Sequence, residues 1–166
     1  SPILENPLND YLQTAISQEL LTTRTDVQDA VLNSSISIIC VGTPSNEDGS
    51  LDLSAIKNVT QQIGKALSHK SSFHLIVCRS TVLPGTTEEI IIPILEKYSA
   101  KKHGENFAVV VNPEFLREGS AIDDFFNPPF IIMGSREQSQ TETLSSIYQT
   151  IKAKQIYTDY KTAEII

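Results

Sequence analysis

Apolar residues along this chain gather into five short continuous runs, separated by stretches in which they recur at helical spacing. The runs are 36–41 (ISIICV), 73–78 (FHLIVC), 107–111 (FAVVV), 130–133 (FIIM) and 155–157 (QIY). Continuous rather than alternating apolar runs predict strands covered on both faces. Between the first two runs, Leu53, Ile56, Val59, Ile63 and Leu67 share one helical face, with Asp52 placed as an N-cap. Leu144, Ile147, Tyr148 and Ile151 make a second such face. Leu8, Tyr11, Leu12, Ala15, Ile16 and Leu20 make a third at the start of the chain. Strand–helix alternation of this kind predicts an α/β fold with a mostly parallel sheet flanked by helices. Ligands in such sheets bind beyond the carboxyl ends of the strands, which directs the search for chemistry to the residues after each run.

Composition narrows the partners. The chain has 166 residues, 40% hydrophobic and 20% charged, enough for one domain with a sizeable core. Thirteen Lys and Arg against 20 Asp and Glu give a net charge of −7. That speaks against a nucleic-acid surface, which needs clustered cations, and "KK" at 101–102 is too short to change it. No apolar run is long enough to span a bilayer and no signal pattern opens the chain, so a soluble, cytoplasmic protein is expected. Cys40 and Cys78 end two apolar runs and read as reduced, semi-buried thiols. His69, His74 and His103 are scattered and read as surface or strand-end residues, and no spacing suggests a metal site.

Three run exits carry distinctive chemistry. The first, "VGTPSNEDGSLDL", offers Gly42 for close approach of a ligand, the Thr43 hydroxyl, Pro44 to end the strand, and a turn at Asp48-Gly49. Taken alone, this exit is better explained as a plain strand–turn–helix connection. In the second, "RSTVLPGTTEE", Pro84-Gly85 fits the centre of a type II turn. Thr86 and Glu89 have capping-box spacing and predict a helix start. Arg79, Ser80 and Thr81 are left without a structural duty. The third, "NPEFLREGSAIDD", follows the run 107–111 directly. Glu114 and Glu118 share a face there if the segment is helical, and Arg117 is placed to neutralise one of them. A solvated acidic helix start is the simpler account, but Phe115, Leu116, Ala121 and Ile122 pin the segment to the body.

The three exits in this order resemble those of the NAD-dependent nucleotide-sugar 6-dehydrogenases, the UDP-glucose/GDP-mannose dehydrogenase family. The phrases "SPILENPL", "TTRTDVQDAV", "ICVGTPSNEDGSLDL", "RSTVLPGTTEEIIIPILE", "NPEFLREGSAIDDFFNPPF" and "TDYKTAEII" carry the resemblance almost end to end. "NPPF" and "TPSNEDGSLDL" lean toward GDP-mannose-type members. The resemblance implies NAD as cofactor and a nucleotide sugar as substrate, whose C6 alcohol is oxidised to a carboxylate through a cysteine-bound thioester. It implies catalytic roles for Thr81, Glu114 and Glu118, with Thr81 and Glu114 positioning water. It implies cofactor contacts from Gly42, Thr43, Pro44, Ser80, Thr81 and Glu118. It places Glu114, Phe115, Leu116 and Arg117 along the nucleotide sugar.

The same resemblance makes residues 1–166 a partial NAD-binding domain, Rossmann-like but lacking the first βαβ unit and truncated at both ends. The seven glycines include no G-x-G pair, so the family's glycine-rich turn is expected elsewhere. The nucleophilic cysteine is also expected outside the chain, since Cys40 and Cys78 fall in predicted core strands. A homo-oligomeric full-length enzyme is implied. Two other readings stand beside this one: a non-catalytic truncated paralogue that binds a nucleotide or partner, and an unrelated α/β hydroxy-acid dehydrogenase. "RSTVLPGT" and "NPEFLREG" speak against the latter.

Overall fold

The computed structural model of the chain describes residues 8–166. Of the phrase "SPILENPL", residues 1–7 lie outside the described residues. The five runs form one five-stranded sheet: β1 (Ile36–Ile39), β2 (His74–Cys78), β3 (Phe107–Val111), β4 (Phe130–Gly134) and β5 (Lys154–Thr158), in that spatial order. β1, β2 and β3 pair parallel, as do β4 and β5. The β3–β4 junction is antiparallel and rests on one pairing, Val111 with Gly134. The sheet is therefore mostly parallel, with its last two strands reversed. The chain leaves β3, makes an excursion through residues 112–129, and returns as β4.

Successive strand residues face opposite sides, and this alternation divides the core. Ile76, Cys78, Val109, Val111 and Ile132 pack on one side with helices α2 (Val27–Leu32), α3 (Ser54–Ser68), α4 (Ile92–Ser99) and α7 (Tyr160–Ile165). Leu75, Val77, Ala108, Val110 and Met133 pack on the other with α6 (Glu142–Ile147) and the turn after it. β2 and β3 are buried along their whole length, as continuous apolar runs predict. β1 and β5 are edge strands, and Ile38 of β1 is 50% exposed. Of the face predicted near α6, Leu144, Tyr148 and Ile151 are buried but Ile147, the last residue of the helix, is 48% exposed. The first predicted helix forms as α1 (Leu8–Ser17), yet none of its residues is buried and Tyr11, Ile16 and Leu20 remain exposed.

Helix ends depart from the sequence expectations in instructive ways. α3 starts at Ser54 with Leu53 as its cap, and Asp52 lies one residue outside. The Asp52 carboxylate still accepts from the Ser54 amide at 2.8 Å, so the local bond forms one position early. The Pro84-Gly85 turn is present: the Thr86 amide donates to the Leu83 carbonyl at 3.1 Å, and Gly85 holds φ +97. The Thr86–Glu89 capping box does not form. The Thr86 hydroxyl donates back to the Leu83 carbonyl at 2.6 Å, and the helix opens with a π turn, Thr87–Ile91. Pro93 in the first turn of α4 explains the wide turn, since it has no amide to donate and its ring crowds the carbonyl four residues earlier.

α7 seats tightly against the sheet. A Cβ on Gly134 would stand 2.4 Å from the Ala163 Cβ and 2.9 Å from the Asp159 carbonyl oxygen. The Tyr160 hydroxyl donates to the Val109 carbonyl at 2.9 Å. Two histidines expected at the surface or at strand ends are buried, one of them, His74, at a strand end. His74 opens β2 and meets the Ser37 hydroxyl through Nε2 at 2.9 Å, and His103 lies beside Tyr160. Burial, with Lys70 nearby, pushes the His74 pKa down to about 4, and burial lowers that of His103.

Two stability outcomes follow. Gly134→Ala should destabilise the fold by about 1–3 kcal/mol, because the rigid Ala163 Cβ and the Asp159 carbonyl, neither able to swing aside, obstruct the methyl; an unchanged urea midpoint would contradict this packing. His74 titrates near 6.5 when unfolded and near 4 when folded, so between those values the unfolded state binds more protons. Stability should therefore fall as pH drops through that window. His74→Gln should flatten the dependence of urea midpoint on pH, and equal slopes for the two proteins would refute the assignment.

Candidate functional site

Hydrogen bonds between neighbouring exits draw the carboxyl ends of β1, β2 and β3 together. The Arg79 amide donates to the Ile39 carbonyl and the Asn112 amide to the Cys78 carbonyl, each at 2.9 Å. The Ser80 hydroxyl donates to the Val41 carbonyl at 2.7 Å, and the Thr43 hydroxyl to the Thr81 carbonyl at 2.8 Å. These bonds enclose a cleft of about 410 Å³ lined by Cys40, Gly42, Thr43, Ser80, Thr81 and Glu114, with Arg79 and Leu116 at its side. A Cβ on Gly42 would meet nothing within 4 Å, so the backbone there borders open space. Pro44 stands apart from the cleft. Its carbonyl accepts from the Asp52 amide at 2.8 Å and closes the small loop that holds the Asp48-Gly49 turn.

The segment after β3 is not helical until α5 (Ala121–Phe126), so Glu114 and Glu118 do not share a helix face. Arg117 neutralises neither of them. Its guanidinium grips Asp124 at 2.7 and 3.1 Å, and its amide donates to the same carboxylate at 2.9 Å. Ser120 adds a hydroxyl at 3.0 Å, and these donors hold the Asp124 carboxyl well below the usual carboxylate range. Glu114 is left exposed at the cleft, with Oε2 accepting from the Leu116 amide at 2.7 Å. Phe115 turns inward and meets the Phe130 ring edge-on at 5.3 Å between centroids. Glu118 and Arg117 line a separate apolar groove of about 860 Å³ between α1 and α5, bordered by Tyr11, Leu116, Ile122 and Phe126. Glu114 and Leu116 border both spaces. The larger groove offers few polar groups, so the cleft at the strand exits is the better candidate for chemistry.

Sequence reasoning left three participants without a role. Arg79 donates from one terminal nitrogen to the Asn112 side-chain oxygen at 2.7 Å and to the Tyr148 hydroxyl at 2.8 Å. Buried Asn112 donates onward to the Ile132 carbonyl at 2.7 Å, so the knot ties β2, β3, β4 and the end of α6. A lone buried Asn immediately after an apolar strand was the available signal. Cys40 was placed in a core strand, but β1 ends at Ile39 and the thiol is exposed at the cleft. Cys78 is buried in β2, and burial raises its pKa to about 12. Glu164 reaches from α7 to the turn after β2, a contact that no local sequence pattern announces. Among the described residues, no group of three or more His, Cys, Asp or Glu is placed to hold a metal ion, and no helix is long and apolar enough to cross a membrane.

Comparison with known proteins agrees with this architecture. The chain is 45% identical over all 166 residues to a GDP-mannose 6-dehydrogenase from Pseudomonas savastanoi pv. phaseolicola, of which it covers 38%. It is 38% identical over 148 residues to the UDP-glucose 6-dehydrogenase AglM of Haloferax volcanii, covering 89% of this chain and 34% of that enzyme. The crystal structure of a ternary complex of GDP-mannose dehydrogenase from Pseudomonas aeruginosa superposes with a TM-score of 0.96 at 44% identity, over 99% of this chain and 38% of that one. The chain thus spans well under half the length of these relatives. The family description "UDP-glucose/GDP-mannose dehydrogenase family, NAD binding domain" matches residues 1–152, and the chain belongs to that family.

Proposed function

We propose that residues 1–166 act as the cofactor-binding part of an NAD-dependent nucleotide-sugar 6-dehydrogenase, which oxidises the C6 alcohol of GDP-mannose to the carboxylate. One observation carries the reading: the exits of β1, β2 and β3 converge on a single cleft that gathers Thr43, Thr81 and Glu114. Identity to GDP-mannose 6-dehydrogenases, up to 45%, favours that sugar over UDP-glucose.

The residues present fit part of a dinucleotide. Open space over Gly42 admits a flat ring against the backbone, and Ser80 and Thr81 present polar groups beside it. Gly42, Thr43, Ser80, Thr81 and Glu118 would hold NAD, with Pro44 shaping the loop beside them and Glu118 reaching across the rim that Leu116 and Glu114 share between groove and cleft. When bound, NAD accepts the hydride leaving C6. The glycine-rich turn and the family's nucleophilic cysteine would come from the first βαβ unit and from later parts of a longer chain, in a homo-oligomer working in the cytoplasm.

The chain's own contribution is positioning and proton handling. Glu114 is exposed at the cleft, and its carboxylate would accept a proton from the sugar hydroxyl or from water, with the Thr81 hydroxyl orienting that water. The Leu116 amide bond to Glu114 fixes the direction of the carboxylate. Phe115, anchored on Phe130, presents the backbone of Leu116 and Arg117 to the nucleotide sugar, and the Arg117–Asp124 pair stiffens that backbone.

In the full-length protein, NADH should form with GDP-mannose at a higher kcat/KM than with UDP-glucose, two NADH per sugar oxidised. No NADH above a no-enzyme control with either sugar would overturn the reading in favour of a non-catalytic binding module. Glu114→Gln keeps size but cannot accept a proton at neutral pH, so turnover should drop roughly 10²–10⁴-fold with little change in substrate affinity. Wild-type turnover in that variant would remove Glu114 from the chemistry.

A further inference from the structure

We infer that Glu164 is a positioning residue of the cleft: its carboxylate clamps the turn after β2 from α7, and so sets Ser80 and Thr81 in place. The inference rests on the functional reading above. The helical run that opens at Thr87 lacks a cap of its own, because the Thr86 hydroxyl is spent on the Leu83 carbonyl. Its first amides need acceptors, and Gly85, Thr86 and Thr87 are buried where water cannot serve. The Thr86 amide reaches the Leu83 carbonyl, and Glu164 serves the other two. The Gly85 amide donates to Oε2 at 2.6 Å and the Thr87 amide to Oε1 at 2.7 Å. A carboxylate taking two amides at a helix N-terminus makes charge-assisted bonds aligned with the helix dipole.

The clamp acts on the cleft because the turn is short. Thr81 is followed by Val82, buried in the core, then Leu83-Pro84-Gly85. The exit is thus held on the β1 side by the Thr43 and Ser80 hydroxyls and on the far side by Glu164. Glu164 lines a small cavity of about 140 Å³ with Ser80, Thr81 and Glu114, beneath the residues assigned to the chemistry. Its own position is imposed by α7. Asp159 caps that helix through the Thr162 amide at 2.9 Å, Tyr160 bonds β3, and Ala163 lies on Gly134. A shift in the last turn of α7 would therefore reach Thr81 through a single side chain.

A double-mutant cycle in the full-length enzyme tests this. Glu164→Gln retains size but offers one acceptor for two amides, and should lower kcat/KM by about 10- to 100-fold. In a Thr81→Ala background, the same change should cost less than about 3-fold, because the residue it positions is already gone. Equal losses in both backgrounds would overturn the inference and leave Glu164 as a helix cap. Amide hydrogen exchange needs no activity: Gly85 and Thr87 should exchange faster in Glu164→Gln, and in Glu164→Asp if the former does not fold. Unchanged exchange at both amides would refute the clamp. A wild-type enzyme that forms no NADH would overturn the functional reading instead, with the exchange result still deciding the clamp.

Discussion

The cleft depends on one constraint: strand ends that diverge leave carbonyls without sheet partners, and those carbonyls must find donors elsewhere. In this chain the donors come from the next exit. Ser80 serves Val41, and Thr43 serves the carbonyl of Thr81, so β1 and β2 hold each other after their ladder has ended. Each hydroxyl thereby fixes a backbone position rather than standing free as a loose polar group. A ligand entering over Gly42 would meet a wall set before it arrives, which is what preorganisation requires of a site on loops.

The reversed β4 has a matching consequence. Its last residue pairs with the last residue of β3 and its first with β5, so both ends of the 112–129 excursion are anchored in the sheet. Asn112 secures the departing end by donating to Ile132 in the returning strand, and Arg79 holds the Asn112 oxygen from β2. Phe115 packs on Phe130 at the other side of the excursion. Polar residues can therefore project from this segment without letting it move as a free loop. β4 and β5 contribute no residue to the lining of the cleft.

Much of this was legible in the sequence because it is local. All five apolar runs became strands, with edges within two residues of expectation, since burial on both faces writes itself as an unbroken run. The positive φ of Gly85 and the turn around it were readable from Pro84-Gly85. What failed had partners distant in sequence. Thr86 and Glu89 have the spacing of a capping box, but their amides bond to the Leu83 and Gly85 carbonyls, and Glu164 clamps the neighbouring Gly85 and Thr87 amides instead. Arg117 lies between two glutamates, yet bonds to Asp124, because the backbone turns at 118–120 before α5 begins. Cys40 reads as strand interior until the ladder with β2 stops at Ile39. The direction of β4 also has no local signature, as an apolar run looks alike read either way.

The charged knot after β3 resolves into two parts with opposite electrostatic duties. Arg117 and Asp124 satisfy each other, and the Asp124 side chain is only 12% exposed beneath the guanidinium, so this pair adds rigidity and little field. Glu114 stands outside the pair and accepts from an uncharged amide, that of Leu116. A carboxylate bonded to a cation would be held ionised and made a weaker base. By committing its one arginine to Asp124, the segment leaves Glu114 with a backbone amide rather than a cation as its partner among the described residues. The four acidic residues between 114 and 124 are therefore not interchangeable. The arrangement locks one of them by an ion pair and leaves another, ten residues earlier, exposed at the mouth of the cleft.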